Sequence, residues 1–141
     1  MNLSEIEAYL QSATADLPGL ESQVTIRDHD VVARLWRPGE PERWAQVRTP
    51  GDDMFWLSVD GRFGTAIPTL SPDDDEITES LDELLAVARA YLEGRVERHG
   101  RRFPTLTVTT PDGTEVLQRA LTTNLRDLFT RRSPGGLEDH A

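Results

Sequence analysis

From Ile77 to Leu92 the apolar residues Ile77, Leu81, Leu84, Leu85, Ala88, Tyr91 and Leu92 recur about one helical turn apart. That spacing lines them along one side of an α-helix. A helix with a single apolar side needs a surface to cover, and the flanking sequence offers strands. Upstream, Val24 and Ile26 alternate with polar residues, and Val31 to Trp36 and Trp44 to Arg48 carry the same pattern. Met54 to Val59 is apolar on both faces, as in a central strand covered on both sides. Asp60-Gly61 fits a two-residue type I′ turn leading into Arg62 to Ile67. Downstream, Phe103 to Thr110 alternates, Pro111-Asp112-Gly113 turns, and Thr114 to Ala120 pairs back as a strand or continues as a helix. Both patterns fit that last stretch.

The ends supply further helices. Ser4 and Glu7 have capping-box spacing, and Leu3, Ile6, Leu10, Ala13 and Leu17 carry a helix over about 4 to 17, stopped by Pro18-Gly19. Leu121, Leu125, Leu128 and Phe129 suit a short terminal helix. The predicted order is α-β-β-β-β-β-α-β-β-α: an α+β fold, an antiparallel sheet with helices packed on it. A chain of 141 residues fits one domain. We place it at residues 1–132, with a polar tail over 133–141.

The start of the long helix is its most unusual part. Asp73, Asp74, Asp75, Glu76, Glu79, Asp82 and Glu83 follow one another with no cation among them. Ser71 fits the N-cap and Pro72 the first helical position, so the acids face the helix's partial positive charge. Arg95, Arg98, Arg101 and Arg102 lie toward the other end, where the dipole favours cations. The gradient is what a long, capped helix prefers. An EF-hand reading fails, because the alternating oxygen ligands, the glycine at position 6 and the glutamate at 12 are missing.

No other catalytic or cofactor chemistry stands out. There is no cysteine, so no thiolate site and no disulfide, which suits a reducing cytoplasm. His29, His99 and His140 are far apart and lack metalloprotease spacing. The chain holds no nucleophile elbow, Walker loop or dinucleotide fingerprint. Met1 to Leu20 does not read as a signal peptide, and no run approaches a membrane span. The net charge is −10 and the pI about 4.7. Such a surface repels nucleic acid and anionic lipid and attracts a basic protein. All fifteen basic residues are arginine.

Trp36, Trp44, Phe55, Trp56 and Phe63 fall close together in the β region. They read as sheet core or as a partly exposed aromatic patch. In Met54–Val59, alternation puts Phe55, Leu57 and Val59 on the core face and Trp56 on the other. Trp56, with Trp36 beside Arg34, is therefore the aromatic candidate for a partner contact, since tryptophan anchors many interfaces.

"WLSVDG", "LLAVARAYLEGRVERHG" and "PTLTVTTPDGTEVLQRAL", spanning residues 54–121, together resemble the small α+β immunity proteins of bacterial toxin–immunity pairs. The element order, small size and low pI are also similar to type III secretion chaperones and the related bacterial sensory-regulator family, although this chain has an extra strand or two before the long helix. Both resemblances imply protein binding and bring no catalytic residues. Three readings follow. The first is a non-enzymatic immunity protein that neutralises a basic toxin through Asp73 to Glu83 and an aromatic neighbour. The second is a chaperone-like adaptor for a secreted substrate, typically a homodimer. The third is an enzyme or small-ligand binder with a site under the sheet. None requires a metal or cofactor.

Overall fold

The computed structural model describes residues 1–119. Helix α1 (Leu3–Ala15) precedes strands β1 (Glu21–Arg27), β2 (Asp30–Arg37), β3 (Glu40–Thr49), β4 (Met54–Val59) and β5 (Phe63–Pro68). Helix α2 (Asp74–Leu92) follows, then β6 (Val96–His99), β7 (Thr105–Thr110) and β8 (Gly113–Arg119). The strands form one eight-stranded antiparallel sheet in the order β1-β2-β3-β4-β5-β8-β7-β6. The fold is α+β. The expected terminal helix through Leu121 and Phe129, and the tail over 133–141, lie outside the described residues.

The sheet has one helix-covered face. Val31, Ala33 and Leu35 of β2, Ala45 and Val47 of β3, and Phe55, Leu57 and Val59 of β4 are completely buried in one core with Ile6 and Leu10 of α1 and Leu81 and Leu92 of α2. That is the 2.0 period of the strands meeting the 3.6 period of the helices. α2 carries the chain from β5 to the far edge, and the β6–β7–β8 meander returns inward until β8 meets β5. Among the described residues, two pairs join them at that junction, Phe63–Arg119 and Gly64–Gln118.

Several local expectations need correction. α1 is capped by Asn2, whose side chain accepts from Glu5 N at 2.8 Å while Glu5 Oε1 accepts from Asn2 N at 2.8 Å. The capping box therefore sits two residues before Ser4–Glu7. α2 likewise starts later than Ser71. Ser71 has a positive φ of 46°, and Asp73 is the N-cap, exchanging bonds with Glu76. A complete capping box outcompetes serine followed by proline because it satisfies two backbone donors.

The long helix also ends sooner than the arginines imply. Gly94 N donates to Tyr91 O at 3.0 Å and Arg95 N to Ala90 O at 2.9 Å, with Gly94 at φ 84°. This is a Schellman stop. Arg95, Arg98, Arg101 and Arg102 thus lie beyond the helix, and only Arg89 stands in its last turn. Arg98 instead sits 5.8 Å over the Phe63 ring. The β4–β5 connection has three residues, Asp60, Gly61 and Arg62, in place of two. Asp60 Oδ1 accepts from Trp44 N at 3.1 Å and from the Tyr91 hydroxyl at 2.7 Å, which ties the turn to β3 and α2.

Candidate functional site

The seven acids of α2 divide by position on the helix. Asp73 and Glu76 are occupied in the cap. Asp74 pairs with the α-ammonium of Met1 at 2.6 Å, and that hydrogen bond raises the ammonium pKa. Asp75 is exposed beside them. These four surround the helix start, where the backbone dipole accounts for them.

Glu79, Asp82 and Glu83 lie one turn on, at i, i+3 and i+4, and so share one exposed stripe. The β7–β8 hairpin rises opposite them. Between helix and hairpin is a groove of about 460 Å³ lined by Glu79, Asp82, Glu83, Asp112 and Glu115, with Ala86, Val87 and Thr110 among its other walls. Five carboxylates thus border one depression, two of them from a strand and turn distant in sequence. Two have internal partners. The Tyr9 hydroxyl donates to Asp82 Oδ1, and Thr65 Oγ1 donates to Glu115 Oε2 at 3.1 Å. Burial first, then the Asp82 bond, pushes the Tyr9 phenol up to about 12. Among the described residues no cation pairs with Glu79, Glu83 or Asp112. Nor do three His, Asp or Glu side chains among them converge as a metal site. The groove holds negative charge spread along its walls rather than focused on a point.

A second cavity of about 380 Å³ adjoins the first across Asp82 and Ala86. Ala13, Leu17, Leu85, Ala90 and Pro111 give it an apolar floor, and Arg89, Glu93 and Arg95 rim it. Those three rim residues are already paired, Arg89 to Glu93 at 2.9 Å and Arg95 to Glu93 at 3.2 Å.

The aromatic half of the expected surface is not there. Trp56 is 4 % exposed. It stands opposite Arg48 and Ala66, on the sheet face away from α2. The alternation reading placed it on the correct face, but that face is not open at this point. Trp36, half-buried on the same face, pairs with Trp44 and donates its indole N–H to Glu21 Oε1 at 2.9 Å. The sheet stands between both tryptophans and the acids of α2, so they cannot form one contact surface with them.

Sequence reasoning missed two features. Asp112 and Glu115 belong to the acidic groove, but only the hairpin's position against α2 reveals it. The second is an ion pair on the sheet face away from the helices. Arg48 Nε donates to Asp30 Oδ2 at 2.7 Å, with Asp30 wholly buried and Arg48 5 % exposed. Asp30 Oδ1 and Arg48 Nη2 find no partner among the described residues. Nearby, Arg34 lies 4.2 Å over the Trp44 ring.

Searches against known protein families, curated proteins and solved structures found no match for this chain. Among the described residues no helix is long and apolar enough to cross a membrane.

Proposed function

We propose that the protein is a non-enzymatic binding protein that offers an acidic groove to a basic protein partner, in the manner of an immunity protein meeting its toxin. The observation that carries this reading is the groove itself: Glu79, Asp82 and Glu83 of α2 face Asp112 and Glu115 of the hairpin across one depression. Among the described residues its carboxylates do not gather as a metal site, and negative charge spread along the walls suits several arginine or lysine side chains. A net charge of −10 adds long-range attraction for such a partner. The contact surface is therefore Glu79, Asp82, Glu83, Asp112 and Glu115, with Asp73, Asp74, Asp75 and Glu76 as flanking charge. Trp56 and Trp36 are left out.

The test begins with capture of the partner from the native cell and continues with the purified pair. Wild-type association should slow steeply as salt rises. Glu79→Arg with Glu83→Arg should slow association at low salt by roughly tenfold or more, with a smaller effect on dissociation. Kinetics unaltered by the double reversal, with the fold intact by circular dichroism, would reject the groove as the contact surface.

A further inference from the structure

The two ends of the sheet are treated very differently. β6, at one end, is four residues long and carries Glu97, Arg98 and His99. Short length and charge are the usual protections of an edge strand. β1, at the other end, has seven residues, ESQVTIR, with an uncharged centre and neither proline nor lysine. Its paired register with β2 runs unbroken from Glu21–Trp36 to Arg27–Asp30. Every residue of β1 is exposed except the half-buried Val24, and Ile26 leaves 42 % of its surface in solvent. Among the described residues it is an unprotected edge.

The direction of its backbone groups follows from the turn. Asp28 and His29 have φ of 51° and 68°, a two-residue type I′ turn. Arg27 and Asp30 are then the hydrogen-bonded closing pair, and bonding alternates from there. Gln23 and Thr25 bond to β2, while Ser22, Val24 and Ile26 aim their N–H and C=O groups outward.

We propose that this edge pairs with β1 of a second copy, antiparallel and centred on Val24. A two-fold axis at Val24 places Ser22 opposite Ile26 of the other copy, so the outward groups of all three residues are matched by six backbone bonds. The same axis places Glu21 opposite Arg27 of the other copy, twice. Opposite charges directly across strands stabilise a pair, and like charges oppose it. Any register shifted from this one loses the match. Glu21 is already held at the edge by Trp36 Nε1 through Oε1, which leaves Oε2 for the arginine. Ile26 gains cover from the other copy's Val24 on the diagonal. The strand is thus complementary to itself in hydrogen bonding, charge and apolar cover at once.

Sedimentation velocity from about 10 μM to about 1 mM reads the association, since a dissociation constant within that range is a weak but specific contact. The wild type should shift from monomer toward dimer as concentration rises. Glu21→Arg alone, or Arg27→Glu alone, should weaken the dimer by about tenfold, and the two together should restore it to within about threefold. The Arg27→Glu arm leaves the Trp36–Glu21 bond in place. In the wild type, amide exchange at Ser22, Val24 and Ile26 should slow as concentration rises, while Gln23 and Thr25 stay unchanged. A wild type that is monomeric at 1 mM overturns the proposal. So does a dimer indifferent to both reversals, a double variant that stays dissociated, or binding of another protein's strand to β1 with no self-association.

Discussion

Arg48→Met keeps most of the arginine's stem and removes its charge. In the native protein the guanidinium and the Asp30 carboxylate form a single-contact pair at 2.7 Å, with side-chain exposures of 6 % and 0 %. The variant strands a carboxylate in a site water does not reach. Breaking a buried pair from one side costs about 3–5 kcal/mol, because the remaining charge has lost its counter-charge and has no solvent in its place. At about 2–4 °C per kcal/mol for a chain near this size, the melting temperature should fall by roughly 6–20 °C. Asp30→Asn with Arg48→Met removes both charges. Its loss should be smaller than that of Arg48→Met alone, giving a coupling of about 2 kcal/mol or more in the cycle. Urea unfolding followed by circular dichroism measures all of these. An Arg48→Met variant within about 1 kcal/mol of wild type would refute the reasoning, and so would additive single effects. Either result would mean that the carboxylate is not electrostatically isolated.

The acids of α2 should prove dispensable to the fold and its leucines essential. Asp75→Asn should change stability by less than about 1 kcal/mol, whereas Leu84→Ala, at a site only 1 % exposed, should cost about 2–5 kcal/mol in denaturant unfolding. Both tyrosines should resist ionisation. Tyr9 is pushed up to about 12, and Tyr91 is also raised, by burial and then by its bond to Asp60. The folded pKa lies above the unfolded value near 10, so above pH 10 the unfolded chain loses protons first. Stability is therefore full below about pH 10 and lost as pH climbs toward 12. Phenolate absorbance near pH 10.5 should be weak in the native protein and strong in urea. A native titration centred near pH 10 would contradict the Tyr9–Asp82 and Tyr91–Asp60 bonds.

Elements with strong periodicity were legible in the sequence. The apolar face of α2 was placed correctly, residue by residue, from Ile77 to Leu92. Met54–Val59 emerged as a central strand, and Thr114 onward, open between strand and helix, is strand β8 through Arg119. Boundaries failed where a short motif overrode a longer pattern. Asp73 and Glu76 took the cap from Ser71, and Gly94 cut the helix off before a charge gradient that looked continuous. That glycine, followed by Arg95-Val96, was the available signal for the stop and for β6. The site was legible only in part, because charge is visible in sequence but facing is not. Asp112 and Glu115 joined the groove through hairpin placement, and Trp56 left the surface because alternation tells which face a residue takes and not whether that face is open. Asp30 and Arg48 lie in separate stretches of the sequence, with no motif that links them. Their pairing depends on the register that sets Val32 opposite Arg48.

The two proposed surfaces are far apart, and this makes them separable. β7 lies six strand spacings from β1 across the sheet. At about 4.8 Å per strand that is roughly 29 Å, so a dimer joined at β1 would carry its two β7–β8 hairpins about 60 Å apart, somewhat less with twist. One small basic domain cannot span both grooves, so each copy would bind its partner independently. Charge at Glu21 lies beyond a Debye length, about 8 Å at physiological salt, from a groove near the opposite end of the sheet. Reversing Glu21 therefore leaves the electrostatics of the groove essentially unchanged, and reversing Glu79 and Glu83 leaves the β1 edge unchanged. Loss of dimerisation with partner binding intact would locate self-association at β1. Loss of partner binding with the dimer intact would locate recognition at α2 and the hairpin.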